Sequence, residues 1–250
     1  MRIDMTGRRV VVAGGSRGIG RSIALAFAQA GAAVSICARG AGALAATRAE
    51  VAGFGGTAHA ATCDLGSQAE IERYIPEAAE ALGGIDVLVN NASGFGRADD
   101  EASWESSIDV DLLAVVRASR AAMPYLLAGE GANIVNIASG SGLNPSVRTP
   151  AYGAAKAAVI HYTRTQAATL ARQGVRVNCV APGSIEFPGG SWERRRTEAP
   201  ELYAATLANC PAGRMGTPEE VANVVLFLAC PLAEWVTAQI VSVNGGQGLR

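Results

Sequence analysis

A serine, a tyrosine and a lysine are spaced in this sequence so that they can act on one oxygen atom. Ser139 ends an apolar run, Asn133 to Ala138, and Tyr152-Gly153-Ala154-Ala155-Lys156 follows a turn rich in glycine, serine and proline. Residues four apart share a helix face, one turn from each other. A phenol, an ammonium and a hydroxyl can therefore converge on one small volume. Such a cluster suits proton transfer to or from an alcohol oxygen. A free phenol titrates at about pH 10, too high for a good base near neutrality, and a neighbouring cation lowers that value. Ser139 can hold the substrate oxygen by hydrogen bonding. Lys156 is the only lysine in the chain; every other Lys/Arg position is arginine. The planar fork of a guanidinium would replace a compact, tunable ammonium poorly.

The elements that must position these groups alternate along the chain. Arg9 to Ala13 reads as a strand, Gly14-Gly15-Ser16-Arg17-Gly18-Ile19-Gly20 as a turn, the segment through Ala30 as a helix and Ala33 to Ala38 as a second strand. A buried strand followed by such a turn presents backbone N–H groups and a helix N-terminus to phosphate. Further on, Ala41 to Phe54, Gln68 to Leu82, Trp104 to Leu127 and Ala151 to Gln173 read as helices. Thr57 to Thr62, Ile85 to Asn90, Asn133 to Ala138, Val175 to Val180 and Gln239 to Val243 read as strands, Val180 ending the sixth. This alternation predicts an α/β fold, a Rossmann-type doubly wound parallel sheet of about seven strands in a three-layer sandwich. Ligands of such sheets bind outside the carboxyl ends of the strands. The glycine turn, Asp64, Asn91, Ser139 and Pro182 all fall at such ends.

The chain has 250 residues, 49% of them hydrophobic and 17% charged, with a formal charge of −1. That composition supplies a large core and argues against a general nucleic-acid binder. With no linker, repeat or low-complexity run, residues 1–250 read as one domain. The five cysteines are scattered and form no CxxC pair or His/Cys cluster, so neither a disulfide framework nor a metal site is expected. No apolar run reaches membrane-spanning length and no signal-peptide pattern opens the sequence, so a cytoplasmic protein that binds neither membrane nor nucleic acid is expected. After the second strand, Ala38 supplies no carboxylate for ribose hydroxyls and Arg39 follows it, with Arg17 in the glycine turn. Two guanidinium groups with no acid between them suit a 2′-phosphate, which favours NADP(H) over NAD(H).

The ordered motifs Gly14-x-x-x-Gly18-Ile19-Gly20, Asp64-Leu65, Asn90-Asn91-Ala92, Ser139, Tyr152-x-x-x-Lys156 and Asn178-x-x-Ala181-Pro182-Gly183 resemble those of the short-chain dehydrogenase/reductase family. The resemblance runs from about Gly7 to Gly246 and is nearest to the 3-oxoacyl-carrier-protein reductase-like branch. It implies an NADP(H)-dependent oxidoreductase that interconverts a ketone and a secondary alcohol. Tyr152 would be the general acid in reduction and the base in oxidation. Lys156 would lower the phenol pKa and hold the nicotinamide ribose, and Ser139 would polarise the substrate oxygen. Gly14, Ser16, Arg17, Gly18, Ile19, Gly20 and Arg39 would cradle the cofactor's phosphates. Asp64 and Leu65 would meet the adenine, Asn91 and Ala92 the nearby ribose, and Pro182, Gly183 and Ile185 the nicotinamide.

The chain also departs from the family's pattern. Ala13 stands for a usual threonine, Ser93 for a glycine and Phe187 for a threonine that would bond the carboxamide. Asp111 stands where the family has an asparagine that anchors a water leading to the lysine. Asp111 is expected to hold that water, to offset part of the lysine's effect on Tyr152 and to move optimal oxidation to higher pH. The segment 184–215 is expected to form a substrate lid, with Trp192 in an ordinary packed loop as the alternative. Ser141, Leu143 and Trp192 are expected at the substrate together with Ser139 and Tyr152, in a pocket also bordered by Gly94, Phe95 and Val147. That pocket is expected to be mostly apolar with few charges. Arg194 to Arg196 could meet an acidic partner such as a carrier protein or coenzyme A phosphates, but consecutive helical side chains point about 100° apart and cannot all face one ligand, so a solvated helix face is expected. His161 is expected to pack or to meet another subunit. Family members often pair their long helices, so a homodimer or homotetramer is expected. The substrate is a 3-oxoacyl thioester or, alternatively, a sugar, polyol or steroid-like alcohol. A dinucleotide-binding sensor with little turnover is the reading from another class.

Overall fold

The computed structural model describes residues 3–129 and 131–248. Seven parallel strands form one sheet: β1 (Arg9–Ala13), β2 (Ala33–Ala38), β3 (Ala58–Thr62), β4 (Val87–Asn90), β5 (Asn133–Ile137), β6 (Arg176–Pro182) and β7 (Ile240–Val243), in the spatial order β3-β2-β1-β4-β5-β6-β7. The order reverses between β1 and β4, and a crevice opens at such a switch point. Successive strand residues face opposite layers. Val10 and Val12 join Phe27, Val225 and Leu228 on one face, while Val11, Leu88 and Ile134 join Ile71, Ile75 and Leu126 on the other. Both faces are therefore covered, as the near-continuous apolar strands require.

The first face carries α1 (Gly18–Gln29) and α9 (Pro218–Ala229), tied by Ser22 Oγ donating to Glu219 at 2.8 Å. A capping box, Thr217 with Glu220, and Pro218 in the first turn fix where α9 begins. The second face carries α3 (Gln68–Leu82), capped by Ser67 and ended by Gly83 at φ 78°, the left-handed position that favours glycine. The first face also carries α2 (Ala41–Ala52), whose Leu44 and Val51 join the cluster of Phe27. The bounds expected for β1, β2 and α3 match; β6 instead runs two residues past Val180, because Ala181 and Pro182 pair with Ser242 and Val243 of β7.

The expected single helix from Trp104 to Leu127 is interrupted. It consists of α4 (Glu101–Ser106), a π-helical turn over Ser107–Leu113 and α5 (Ala114–Leu127). The cause is tertiary. The loop after β4 lies directly on this segment: a Cβ on Gly94 would come 2.3 Å from the Ser106 carbonyl oxygen, and one on Gly96 2.2 Å from that of Ser103. Ser107 and Asp111, both fully buried, turn inward and accept that loop's N–H groups. Widened turns of this kind recur at functional sites.

Next comes α6 (Pro150–Leu170), followed by a 3-10 turn over Ala171–Gln173 in place of a continuous helix to Gln173. Its seating is polar. Asn90 donates to Asn136 at 2.8 Å, and Asn136 donates to Thr163 and Gln166 of α6 at 3.0 and 3.2 Å. These buried bonds join β4, β5 and α6 beneath the strand ends. Beyond β6, α7 (Ser191–Glu198) and α8 (Pro200–Ala208) form an excursion. Its base is closed by a bridge between Ile185 and Gly216, in which Gly216 N donates to Ser184 O at 2.9 Å.

Candidate active site

Pro150 starts α6 and puts Tyr152 in its first turn, with Lys156 one turn deeper. The Lys156 side chain is 2% exposed. Its Nζ donates to the Ile137 carbonyl at 2.9 Å and lies 5.6 Å from the centre of the Tyr152 ring. Tyr152 is half-buried and meets Phe95 edge-on, centroids 4.9 Å apart at 82°. Ser139 lies two residues beyond β5, and its Oγ accepts Ser141 N at 3.1 Å. The three residues expected to act together border one cleft of about 1190 Å³.

Asp111 lies against the lysine itself. Its Oδ1 lies 3.2 Å from Lys156 Nζ, an ion pair whose alignment falls short of a hydrogen bond. Its Oδ2 accepts Phe95 N at 3.1 Å and Gly94 N at 3.2 Å. Phe95 has φ 52°, a left-handed conformation that costs a non-glycine residue free energy and persists only where neighbours hold it. One carboxylate thus neutralises the lysine and fixes the turn that carries the aromatic partner of Tyr152.

These contacts set the proton affinities. Burial pushes the Tyr152 phenol up; Lys156 and Ser139 pull it down, Asp111 pushes it up, and the outcome lies above the ordinary value. The expectation that Lys156 lowers the phenol holds for the lysine's own contribution but not for the net direction, because burial and Asp111 outweigh it. Lys156 is pulled down by burial yet ends raised, through the Asp111 carboxylate first and the phenol next.

The glycine turn has the shape a dinucleotide needs. Gly14 has φ 90°, and a Cβ there would meet Ala92 at 2.9 Å; one on Gly20 would stand 2.0 Å from the Gly14 carbonyl oxygen. Asn91 Nδ2 donates to that same oxygen at 2.7 Å, tying the end of β4 to the turn. Thr47 donates to the Ser16 carbonyl at 3.0 Å from the other side. No side chain caps the N-terminus of α1, so its first N–H groups face outward for an anion. These residues fit a pyrophosphate-bearing cofactor. Arg17 and Arg39 are exposed and make no ion pair with a carboxylate among the described residues.

Of the other expected contacts, Arg17, Ile19, Asn91, Pro182, Gly183 and Ile185 border the cleft with the catalytic candidates. Gly14, Gly20 and Ala92 form backbone packing beneath it. Asp64 caps its own turn by accepting Gly66 N at 3.0 Å, and Leu65 is buried. Ser141 and Trp192 border the cleft; Leu143 does not, and projects 45% exposed. Gly18 sits against the Phe187 ring, where a Cβ would come within 2.5 Å, so Phe187 packs on the glycine turn. Gln247, which carried no sequence signal, pins the Pro182-Gly183-Ser184 loop by accepting Ser184 N at 2.7 Å.

The expectation that the pocket carries few charges is wrong. Arg97, Arg148, Arg194 and Arg195 border the cleft, and among the described residues no aspartate or glutamate does. Of the three lid arginines, Arg194 and Arg196 are exposed, as a solvated face requires, while Arg195 is half-buried; Arg194 and Arg195 also border the cleft. Only Arg196 turns aside, to Glu186 at 3.5 Å, because consecutive helical side chains diverge by about 100°. His161 is exposed and outside the cleft. Among the described residues, no group of three or more His, Cys, Asp or Glu gathers as a metal site, and no helix is long and apolar enough to cross a membrane.

A family model described as enoyl-(acyl carrier protein) reductase matches residues 13–247. The chain is 37% identical over 247 residues to BbsD, a subunit of the hydroxy(phenyl)methylsuccinyl-CoA dehydrogenase of Thauera aromatica, covering 97% of each chain. It is 36% identical over 251 residues to the 3-oxoacyl-(acyl-carrier-protein) reductase of Vibrio harveyi, covering 98% of each. The NADPH-bound structure of a short chain oxidoreductase from Pseudomonas aeruginosa PAO1 superposes with a TM-score of 0.88 at 32% identity, covering 99% of each chain.

Proposed function

Since the chain belongs to the short-chain dehydrogenase/reductase family and is an NAD(P)-dependent oxidoreductase of CH–OH donors, we propose that it interconverts a ketone and a secondary alcohol with NADP(H), Tyr152 acting as general acid/base. One observation carries the reading: Ser139, Tyr152 and Lys156 open on the same cleft as Ile19, Asn91, Pro182 and Gly183. The nicotinamide, when bound, supplies hydride exchange with the substrate carbon. The protein's own residues handle the oxygen. Ser139 Oγ orients it, and the Tyr152 hydroxyl donates a proton to it in reduction and recovers that proton in oxidation. Lys156 stands beside the phenol and favours its ionised form. Asn91, Gly14 and the uncapped start of α1 would hold the ribose and pyrophosphate, and Asp64, Leu65 and Ala92 would flank the adenosine. Arg17 and Arg39, with no acid at Ala38, support the preference for the 2′-phosphorylated cofactor. Residues 184–215 are taken as the lid of a single 250-residue domain; the stitched base at Ile185 and Gly216 supports this, as a fixed hinge for α7 and α8.

The test is NADPH consumption over a panel of ketones, with Tyr152→Phe as control. Loss of a general acid costs typically about 10²–10⁴-fold in rate. The variant is expected to fall in that range while binding NADPH as the parent does. Tight NADPH binding with no turnover of any ketone would leave a sensor as the reading.

A further inference from the structure

The mouth of the cleft is positively charged. Arg97 comes from the loop after β4, Arg148 from the turn before α6, and Arg194 and Arg195 from α7. They border the cleft together with Phe95 and Trp192. None of the four is paired with a carboxylate among the described residues. The acids near them in sequence are engaged elsewhere. Asp99 accepts Trp104 Nε1 at 2.9 Å, Asp100 accepts Ser103 N at 2.8 Å, and Glu193 accepts Gly189 N at 2.7 Å. Glu186 takes the Tyr203 hydroxyl at 3.0 Å and Arg196 at 3.5 Å.

Arg195 lies near enough to the other three guanidinium groups to feel their charge. Partial burial, then the charges of Arg97, Arg148 and Arg194, hold Arg195 below its ordinary value. Mutual repulsion with no internal counter-charge is the mark of a place prepared for an external anion. Two of the groups are oriented by aromatic rings: Arg97 lies 5.3 Å from the Phe95 centroid and Arg195 4.7 Å from that of Trp192. Stacking uses the face of a guanidinium and leaves its N–H edge free to fork onto an oxyanion. The Lys156 charge in the same cleft is already met by Asp111, so the arginines supply the uncompensated part.

We propose that the substrate carries an oxyanion, a carboxylate or phosphate tethered to the reacting carbon, and that Arg97, Arg148, Arg194 and Arg195 bind it while the carbonyl oxygen rests at Tyr152. This rests on the ketone-reductase reading above. It sets neutral sugars, polyols and sterols behind keto acids and keto thioesters of phosphate-bearing carriers.

The test uses NADPH with acetoacetate, levulinate, their methyl esters and acetoacetyl-CoA, on the parent, Arg148→Ala and Arg195→Ala. A charged substrate is expected to exceed the neutral esters in kcat/KM by about tenfold or more at low salt, with the advantage shrinking as ionic strength rises. Each arginine variant is expected to cut that ratio by about tenfold through KM, the loss of one charge-assisted bond. Preference for the free acids places the anion on the ketone itself, and preference for the thioester places it on the carrier's phosphates. Esters reduced as well as acids and thioester, or variants that raise only the KM for NADPH, overturn the proposal and leave ketone reduction standing. If no ketone is reduced, tryptophan quenching in the NADP⁺ complex by β-hydroxybutyrate and not by its methyl ester still supports the anion site. Equal or absent quenching refutes it.

Discussion

Replacing Asp111 by asparagine removes one charge and keeps an oxygen to accept the Gly94 and Phe95 N–H groups, while an amide NH2 replaces the oxygen that faces Lys156. The carboxylate lies 3.2 Å from Lys156 Nζ, which lies 5.6 Å from the centre of the Tyr152 ring. It is therefore within about 9 Å of the phenol ring, where a unit charge at an effective dielectric constant of about 20 acts with roughly 1.8 kcal/mol, or about 1.4 pH units. The sign follows from charge. Asp111 disfavours the phenolate and raises the phenol, so its removal lowers it. Alcohol oxidation needs the phenolate, and its acid limb should move down by about one pH unit in Asp111→Asn. The alkaline limb of ketone reduction, which needs the phenol, should move down with it. Lys156 falls too, because it loses the carboxylate that raised it most. The assay is kcat/KM against pH in both directions, with melting temperature in parallel because the buried ammonium loses its counter-charge. Limbs that stay in place, or move upward, would refute the electrostatic account of the site. A lower melting temperature with unmoved limbs would assign Asp111 a structural role alone.

Arg39→Ala and Arg17→Ala should each lower kcat/KM for NADPH by about tenfold and leave that for NADH nearly constant, since a charge-assisted bond contributes roughly 1.5–3 kcal/mol; equal losses for both cofactors would remove the 2′-phosphate assignment. Asp86 accepts Arg9 Nε at 2.9 Å and lies 2.6 Å from its Nη2, with a side chain 5% exposed. Breaking such a pair costs roughly 3 kcal/mol, so Asp86→Ala should melt about 6–12 °C lower. Burial alone would push the Asp86 carboxyl up, but its bonds from Arg9 hold it below the ordinary value. Its stabilisation is then present above the unfolded value of about 3.9 and is lost as pH falls through the folded one. The parent's melting temperature should fall more steeply than the variant's below about pH 4; parallel acid limbs would contradict this.

The sheet and the place of the site were legible because they rest on local signals. Strand residues such as Val10 to Val12 are apolar in an unbroken run, and turn residues such as Gly14 and Gly83 mark where the chain must reverse. The rule that ligands gather at strand ends then placed Asn91, Ser139 and Pro182 correctly around one cleft. What escaped depends on tertiary context. Ser107 to Leu113 has a composition any α-helix accepts, and only the loop through Gly94 and Gly96, pressed onto it from outside, widens the turn. Arg97 and Arg148 lie on loops, where no periodicity says which way a side chain points. The divergence of helical neighbours excluded three lid arginines on one ligand, but not two, and Arg194 with Arg195 took that allowance. The phenol's net direction was misjudged for a related reason: a neighbouring charge can be read from spacing, whereas burial cannot.

The charges of the cleft fall into an inner pair and an outer cluster, and each has a distinct chemical consequence. A buried ammonium alone would be several kcal/mol unstable, and Asp111 offsets this, so Lys156 ends above its ordinary value although burial pulls it down. The same carboxylate opposes the phenolate. At neutral pH these two effects together leave an ammonium next to a protonated phenol, the state in which the phenol can give its proton to a carbonyl oxygen. Oxidation must first remove that proton, and the pH at which it does so is set by the balance between Lys156 and Asp111. The outer arginines lie beyond this pair with no carboxylate among them. Their field therefore acts on what enters the cleft, while the inner pair governs the proton, so substitutions at Arg148 or Arg195 should alter KM and its salt dependence, and substitution at Asp111 should alter the pH profile.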